Sequence, residues 1–157
     1  MILIDGKKTA QDIRAELKLE IDKLKTSGRG VPGLVAILAG DDPASEIYVK
    51  SKSKACNEIG MKTVTEKLSY NTSEKELLDL VYHYNNHNEF HGILVQLPLP
   101  KHINQDKIIE AISPKKDVDG FHPINVGNLV IGKEAFRSCT PAGIQELLIR
   151  YNIETKG

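Results

Sequence analysis

The chain has 157 residues and carries 21 lysines and arginines against 21 aspartates and glutamates, a formal net charge of zero. That length allows one complete hydrophobic core with a small appendage but not two full-sized domains, and the balanced charge gives no general pull toward nucleic acid or an anionic membrane. The opening MILIDGKKTA is neither a secretory apolar segment nor an arginine-rich transit peptide, and no stretch is apolar for long enough to span a bilayer, so a cytoplasmic protein is expected.

Residues 2–4 read as a short strand, with Asp5 and Gly6 turning the chain into a helix over residues 8–25. Ile13, Leu17, Ile21 and Leu24 recur at intervals of three and four, which predicts one buried face. A run of glycines with Pro32 breaks that helix. Residues 34–39, Leu-Val-Ala-Ile-Leu-Ala, are continuously apolar, which suits a strand covered on both faces, as in a parallel sheet.

The stretch 41–60, DDPASEIYVKSKSKACNEIG, predicts the helix around which the chain is organised. Asp42 suits the N-cap, Pro43 the first helical position and Gly60 the left-handed C-terminal cap. At 100° per residue Tyr48, Val49, Lys52, Ala55, Cys56 and Ile59 share one side, so Lys52 is expected within an apolar stripe, with the Tyr48 ring flooring a pocket beside it. Two readings of Lys52 stand on this pattern. An ammonium taken out of water loses hydration, which lowers its pKa and suits proton transfer near neutrality; alternatively the side chain packs its stem and keeps its head in water.

A strand is expected in residues 62–68, then a helix capped by Ser73 with Glu76 in a capping box and an apolar stripe of Leu77, Leu78, Val81 and Tyr84. His83, His87 and His91 repeat every four residues, yet the first two lie off that stripe and no carboxylate joins them in an H-E-x-x-H pattern, so a solvated face is expected and not a metal centre. Residues 92–97 form the next buried strand, ended by Pro98-Leu99-Pro100. Gln96 stands at its carboxyl end, where open α/β sheets bind ligands; its amide could equally tie down the loop backbone.

A helix over residues 104–112 precedes Asp117-Val118-Asp119-Gly120, an acidic turn that fails the calcium-loop spacing. Residues 121–137, with Pro123, Gly127 and Gly132, are expected to be an irregular arm with a small hairpin. Thr140 or Ser138 then caps a last helix opened by Pro141, with a stripe of Ile144, Leu147, Leu148 and Tyr151. Cys56 and Cys139 are too far apart in sequence for a C-x-x-C motif, and Cys56 is expected in the core. Alternating strands and helices predict an α/β domain of three layers, with a mainly parallel sheet flanked by helices. There is no glycine-rich G-x-G-x-x-G or P-loop phosphate cradle.

The segments GDDPASEIYVKSKSKAC, GILVQLPLP, PKKDVDGFHPINVG and CTPAG occur together in this order and spacing. In their conjunction the chain resembles the amino-terminal part of the bifunctional methylenetetrahydrofolate dehydrogenase/methenyltetrahydrofolate cyclohydrolase family, over essentially its whole length. The resemblance implies a fold like the N-terminal domains of amino-acid dehydrogenases. It implies that Lys52, of Y-V-x-x-K, is the catalytic residue and that Tyr48 lies against the pterin and aminobenzoyl parts of a tetrahydrofolate substrate. By the same match Gln96 cooperates with the lysine, Asp119 bonds the pterin, and Leu97 and Pro98 help shape the pocket. It further implies residues 1–140 as the folate-binding catalytic domain and 141–157 as a connector toward a Rossmann domain that would bind NADP. A homodimer and no metal are implied as well. The rival expectations are the substrate domain of an amino-acid or shikimate dehydrogenase, and a folate-binding or dimerising module without turnover.

Overall fold

A computed structural model describes residues 3–155. The elements follow the chain as α1 (Gly6–Thr26), β1 (Gly33–Ala39), α2 (Pro43–Glu58), β2 (Lys62–Leu68), α3 (Glu74–Asn85), β3 (Gly92–Val95), α4 (Gln105–Ala111), α5 (Pro123–Val130) and α6 (Cys139–Arg150). The three strands lie in the order β2-β1-β3 and both pairings are parallel, with Leu34 opposite Thr63 on one side and Gly92 on the other. Parallel neighbours need crossover connections, and α2 and α3 supply them.

Successive residues of a strand face opposite sides, and the continuously apolar β1 uses both. Val35 and Ile37 join Ile93 and Val95 in a core closed by Leu77, Val81 and Tyr84 of α3 and by Ile108 of α4. Ala36, Leu38 and Leu94 point the other way, where Val49 of α2 covers them. The expected three layers are therefore present: α3 and α4, the sheet, then α2.

Most helix boundaries follow their local signals. Asp42 accepts from Ser45 N at 2.8 Å with Pro43 in the first turn, and Gly60 takes the left-handed conformation expected after α2. Ser73 and Glu76 form both bonds of the capping box. Asn104 caps α4 by accepting from Lys107 N.

Four expectations change. Ile2 lies outside the described residues, and Leu3 and Ile4 are exposed and belong to no strand. In α1 only Ile21 of the predicted stripe is buried, and Leu17 is 41% exposed. Amphipathic period marks a face that burial would stabilise; it does not supply the neighbour. In α6, which begins at Cys139 under Ser138 as N-cap without a side-chain bond, no residue is buried. Its far end is held to α1 by Arg150, whose guanidinium donates to both carboxylate oxygens of Glu16 at 2.8 and 2.6 Å, and by Tyr151, whose hydroxyl accepts from Asp5 N at 2.8 Å.

The fourth change is the supposed arm after residue 120, which contains α5. Pro123 starts that helix, since the first helical N–H needs no acceptor within the helix, and His122 caps it by accepting from Ile124 N at 3.1 Å. The residue read as a breaker is the helix's opening.

Candidate functional site

The site follows from the strand order. After β1 the chain crosses to the face covered by α2, whereas after β3 it turns to the face that holds α4. Two connections leaving neighbouring strands for opposite faces open a crevice at the strands' carboxyl ends, the usual ligand position in open α/β sheets.

Gln96 is set there by its backbone, whose N–H donates to Ile37 O at 2.9 Å and continues the ladder one residue past β3. Both readings of its side chain apply. The amide Nε2 donates to Leu97 O at 2.7 Å and holds the turn, which leaves Oε1 to accept from Lys52 Nζ at 3.3 Å. Ser45 Oγ reaches the same Leu97 carbonyl at 3.5 Å, tying α2 to the turn.

Lys52 is half-buried and not at the centre of a buried stripe. The line that packs on the sheet runs through Ser45, Val49 and Ile59, while Tyr48 is 62% exposed and Cys56 half-buried. Tyr48 and Lys52 thus stand along the crevice edge, and the Tyr48 ring walls the site instead of flooring it.

Asp119 completes the group. Burial raises its carboxyl above the usual aspartate range; the Lys52 charge opposes that rise and the Asp117 charge adds to it. Lys52, Gln96, Leu97 and Asp119 line an inner cavity of about 250 Å³ with Val95 and Phe121. An adjoining cavity of about 370 Å³ is shared by Lys52, Gln96, Asp119 and Phe121 with Tyr48, Ser138, Cys139 and Thr140.

Five of the six sequence-predicted site residues therefore meet in one cleft. Pro98 follows Leu97 through a cis peptide bond and is exposed, outside the residues lining either cavity. Sequence reasoning missed Phe121, 44% exposed at the cleft, and the opening of α6. The signals were an aromatic directly after D-V-D-G and the motif C-T-P. Two larger cavities, one beside Phe136 and one along α6, contain none of the predicted residues.

No group of three or more histidine, cysteine or acidic side chains able to hold a metal occurs among the described residues. His83 and His87 pack edge to face with ring centroids 5.5 Å apart, and His91 Nδ1 accepts from Gly33 N at 3.1 Å. Nor is any helix of the described residues long and apolar enough to cross a membrane.

Residues 4–119, which carry the sheet and the Lys52, Gln96 and Asp119 positions, match the family model described as tetrahydrofolate dehydrogenase/cyclohydrolase, catalytic domain. The chain belongs to this family. It is 54% identical to the bifunctional protein FolD of Chloroherpeton thalassium, a match covering 100% of this chain and 54% of that protein. The crystal structure of the bifunctional FolD enzyme from Campylobacter jejuni is 50% identical, with a TM-score of 0.97 over 100% of this chain and 56% of that one. A Trypanosoma brucei dehydrogenase-cyclohydrolase solved with NADP cofactor and inhibitor is 34% identical, with a TM-score of 0.95 over 99% of this chain and 54% of that chain. The chain thus spans about half the length of the curated relatives it matches. Membership sets aside the amino-acid and shikimate dehydrogenase alternative.

Proposed function

We propose that the cleft binds the pterin end of a one-carbon tetrahydrofolate, and that the chain is the substrate-binding catalytic half of a methylenetetrahydrofolate dehydrogenase/methenyltetrahydrofolate cyclohydrolase. The observation carrying this reading is the bond from Lys52 to Gln96 in a cavity that also holds Asp119. A carboxylate beside an amine suits a pterin, whose adjacent ring N–H and amino donors can be met by one carboxylate side by side. Tyr48 and Phe121 offer aromatic faces to the rest of the folate.

In the hydrolytic step water bonds to the cationic methenyl carbon while the Lys52 amine takes one of its protons; that proton goes to the ring nitrogen as its bond to the carbon breaks, and the hydroxyl's remaining proton leaves to solvent as the formyl C=O forms, giving 10-formyltetrahydrofolate. Gln96 holds the amine in line. In the oxidative step the chain's part is to present the methylene carbon in a fixed orientation to NADP, which accepts the hydride. The 157 residues contain no glycine-rich cradle for that cofactor. Residues 1–140 are proposed as the folate-binding catalytic unit and 141–157 as the connector to a Rossmann partner domain, in a cytoplasmic homodimer.

The test is loss of the methenyl chromophore on mixing 5,10-methenyltetrahydrofolate with the purified chain. Hydrolysis faster than the buffer rate supports the proposal. Folate binding without acceleration would make the chain a binding module, and absence of binding would sink the folate assignment. The same chain supplied with 5,10-methylenetetrahydrofolate and NADP is expected to form no NADPH, followed at its near-ultraviolet absorbance; steady NADPH formation would show that a cofactor cradle exists in these residues.

Asp119 makes the binding pH-dependent. Its folded pKa is raised above the unfolded value by burial, so the folded chain holds that proton at higher pH than the unfolded one. The associated stability is present below the unfolded pKa and lost as pH rises through the folded pKa. Pterin recognition runs oppositely, because it needs the carboxylate. Affinity for 5-formyltetrahydrofolate, measured by titration calorimetry, should fall on acidification while the pH is still above the ordinary aspartate range. Asp119→Asn should flatten that profile, and an unchanged profile would exclude Asp119 as the titrating contact.

A further inference from the structure

The acidic turn holds a second carboxylate that no step above uses. Asp117 is 2% exposed, and a buried carboxylate is tolerable only when its oxygens are supplied with donors. It accepts from Phe121 N at 3.3 Å, from His122 N at 2.9 Å and from Asn125 Nδ2 at 2.8 Å. Asn125, itself 4% exposed, also donates from Nδ2 to Pro114 O at 2.9 Å. The Asp117 backbone meanwhile forms a parallel bridge with Ile93, beside β3.

The chain at residue 117 is therefore bonded to the sheet through the preceding carbonyl, since Ile93 N donates to Lys116 O at 2.8 Å, and to the start of α5 through the Asp117 side chain. Between these anchors Val118 packs into the core under α2, Gly120 N donates to Asp117 O at 3.3 Å, and Asp119 and Phe121 line the cleft. The segment 117–122 is a loop closed by its own hydrogen bonds, with the cleft residues on its rim.

We propose that Asp117 and Asn125 are positioning residues that set the Asp119 carboxylate, and with it the orientation in which the cleft accepts its ligand. For the ligand this rests on the folate reading above; for Asp119 itself it does not. Lys116 supplies the comparison. Its ammonium donates to Tyr84 O at 2.8 Å and His87 O at 2.9 Å, fastening the same segment to the end of α3, away from the cleft. It ties the loop down without touching the ring of bonds around Asp117.

Two readouts on the 157-residue chain test the proposal. The first needs no ligand: the Asp119 carboxyl carbon is followed by NMR through a pH titration in the wild type, Asn125→Ala and Lys116→Met. The groups acting on it are Lys52 and Asp117. Asn125→Ala should bring the midpoint down toward the ordinary aspartate value as the turn opens to water, and Lys116→Met should leave it in place even where both variants lose thermal stability. If Asn125→Ala unfolds, Asn125→Leu keeps the side-chain volume, removes the donor to Asp117 while leaving the Asp117 charge in place, and is read in the same way. An unmoved midpoint in the folded variant overturns the proposal.

The second readout is binding of 5-formyltetrahydrofolate. Asn125→Ala should weaken it about tenfold in the wild-type background, the order expected for losing a charge-assisted contact, and less than about twofold when Asp119→Asn is already present. Equal losses in both backgrounds would mean that Asn125 acts on the fold at large and would overturn the positioning role. A moved midpoint in a chain whose wild type binds no folate would uphold the positioning of Asp119 and reject the folate reading.

Discussion

Lys52→Met is expected to slow hydrolysis of 5,10-methenyltetrahydrofolate by about 10²–10⁴-fold, the range for removing a general acid–base group, while 5-formyltetrahydrofolate still binds. The side chain lies half-buried with its Nζ on Gln96 Oε1. Methionine keeps much of the stem's packing and loses the proton carrier. The separation of binding from turnover is the informative part. Lost binding together with lost hydrolysis would point to a collapsed cleft, which a Gln96→Leu comparison would reveal by the same combined loss. Hydrolysis unchanged in the methionine variant would exclude Lys52 from the proton transfers, and with it the mechanism proposed here.

Gly120→Ala is expected to lower the unfolding free energy by about 3 kcal/mol, from a left-handed backbone penalty of about 1–2 kcal/mol and an overpacking cost of similar size. Gly120 has φ of +68°, and a Cβ there would stand 2.8 Å from both Arg137 C and Ser138 N and 3.0 Å from Phe136 O. These are backbone atoms, so relief requires moving the strand of chain that leads into α6. In a domain of this size about 3 kcal/mol corresponds to a fall in melting temperature of roughly 6–12 °C. Gly132→Ala is the internal control: its φ is +73° with nothing within 4 Å of the added Cβ, so it should show the backbone penalty alone. Equal melting temperatures for the two variants would mean that the 136–138 segment yields freely. Because Ser138 lines the cleft and Asp119 precedes Gly120, Gly120→Ala should also weaken folate binding, and Gly132→Ala should not.

The sensitivity of Gly120 and the buried bonding of Asp117 share one cause. The acidic turn is where three parts of the chain cross: the edge beside β3, the start of α5 and the lead into α6. Read locally, D-V-D-G is a polar turn in which either aspartate could face solvent. In the folded chain one carboxylate is enclosed by donors and the other lines the cleft, so two chemically identical side chains two residues apart have different tasks.

The elements whose signals are local were legible in the order of the residues alone. Capping by Asp42 and Ser73 and the unbroken apolar run of β1 each depend on neighbours within a few residues, and they hold in the structure, whereas β3 ends at Val95, two residues short of the expected strand. The motif resemblance also named Lys52, Gln96 and Asp119. Which predicted faces find a partner, and which distant residues meet, emerges only in the folded chain. Leu17 and the α6 stripe have helical period without burial, Pro123 opens a helix where a composition count saw a breaker, and Tyr48 stands at an edge. The physical reason is that periodicity records what a segment can bury, whereas the β2-β1-β3 order and its opposed crossovers decide what lies across from it. Residues 52, 96 and 119 share a cleft because two connections part at the end of the sheet, a fact about the whole chain that no short stretch of it contains.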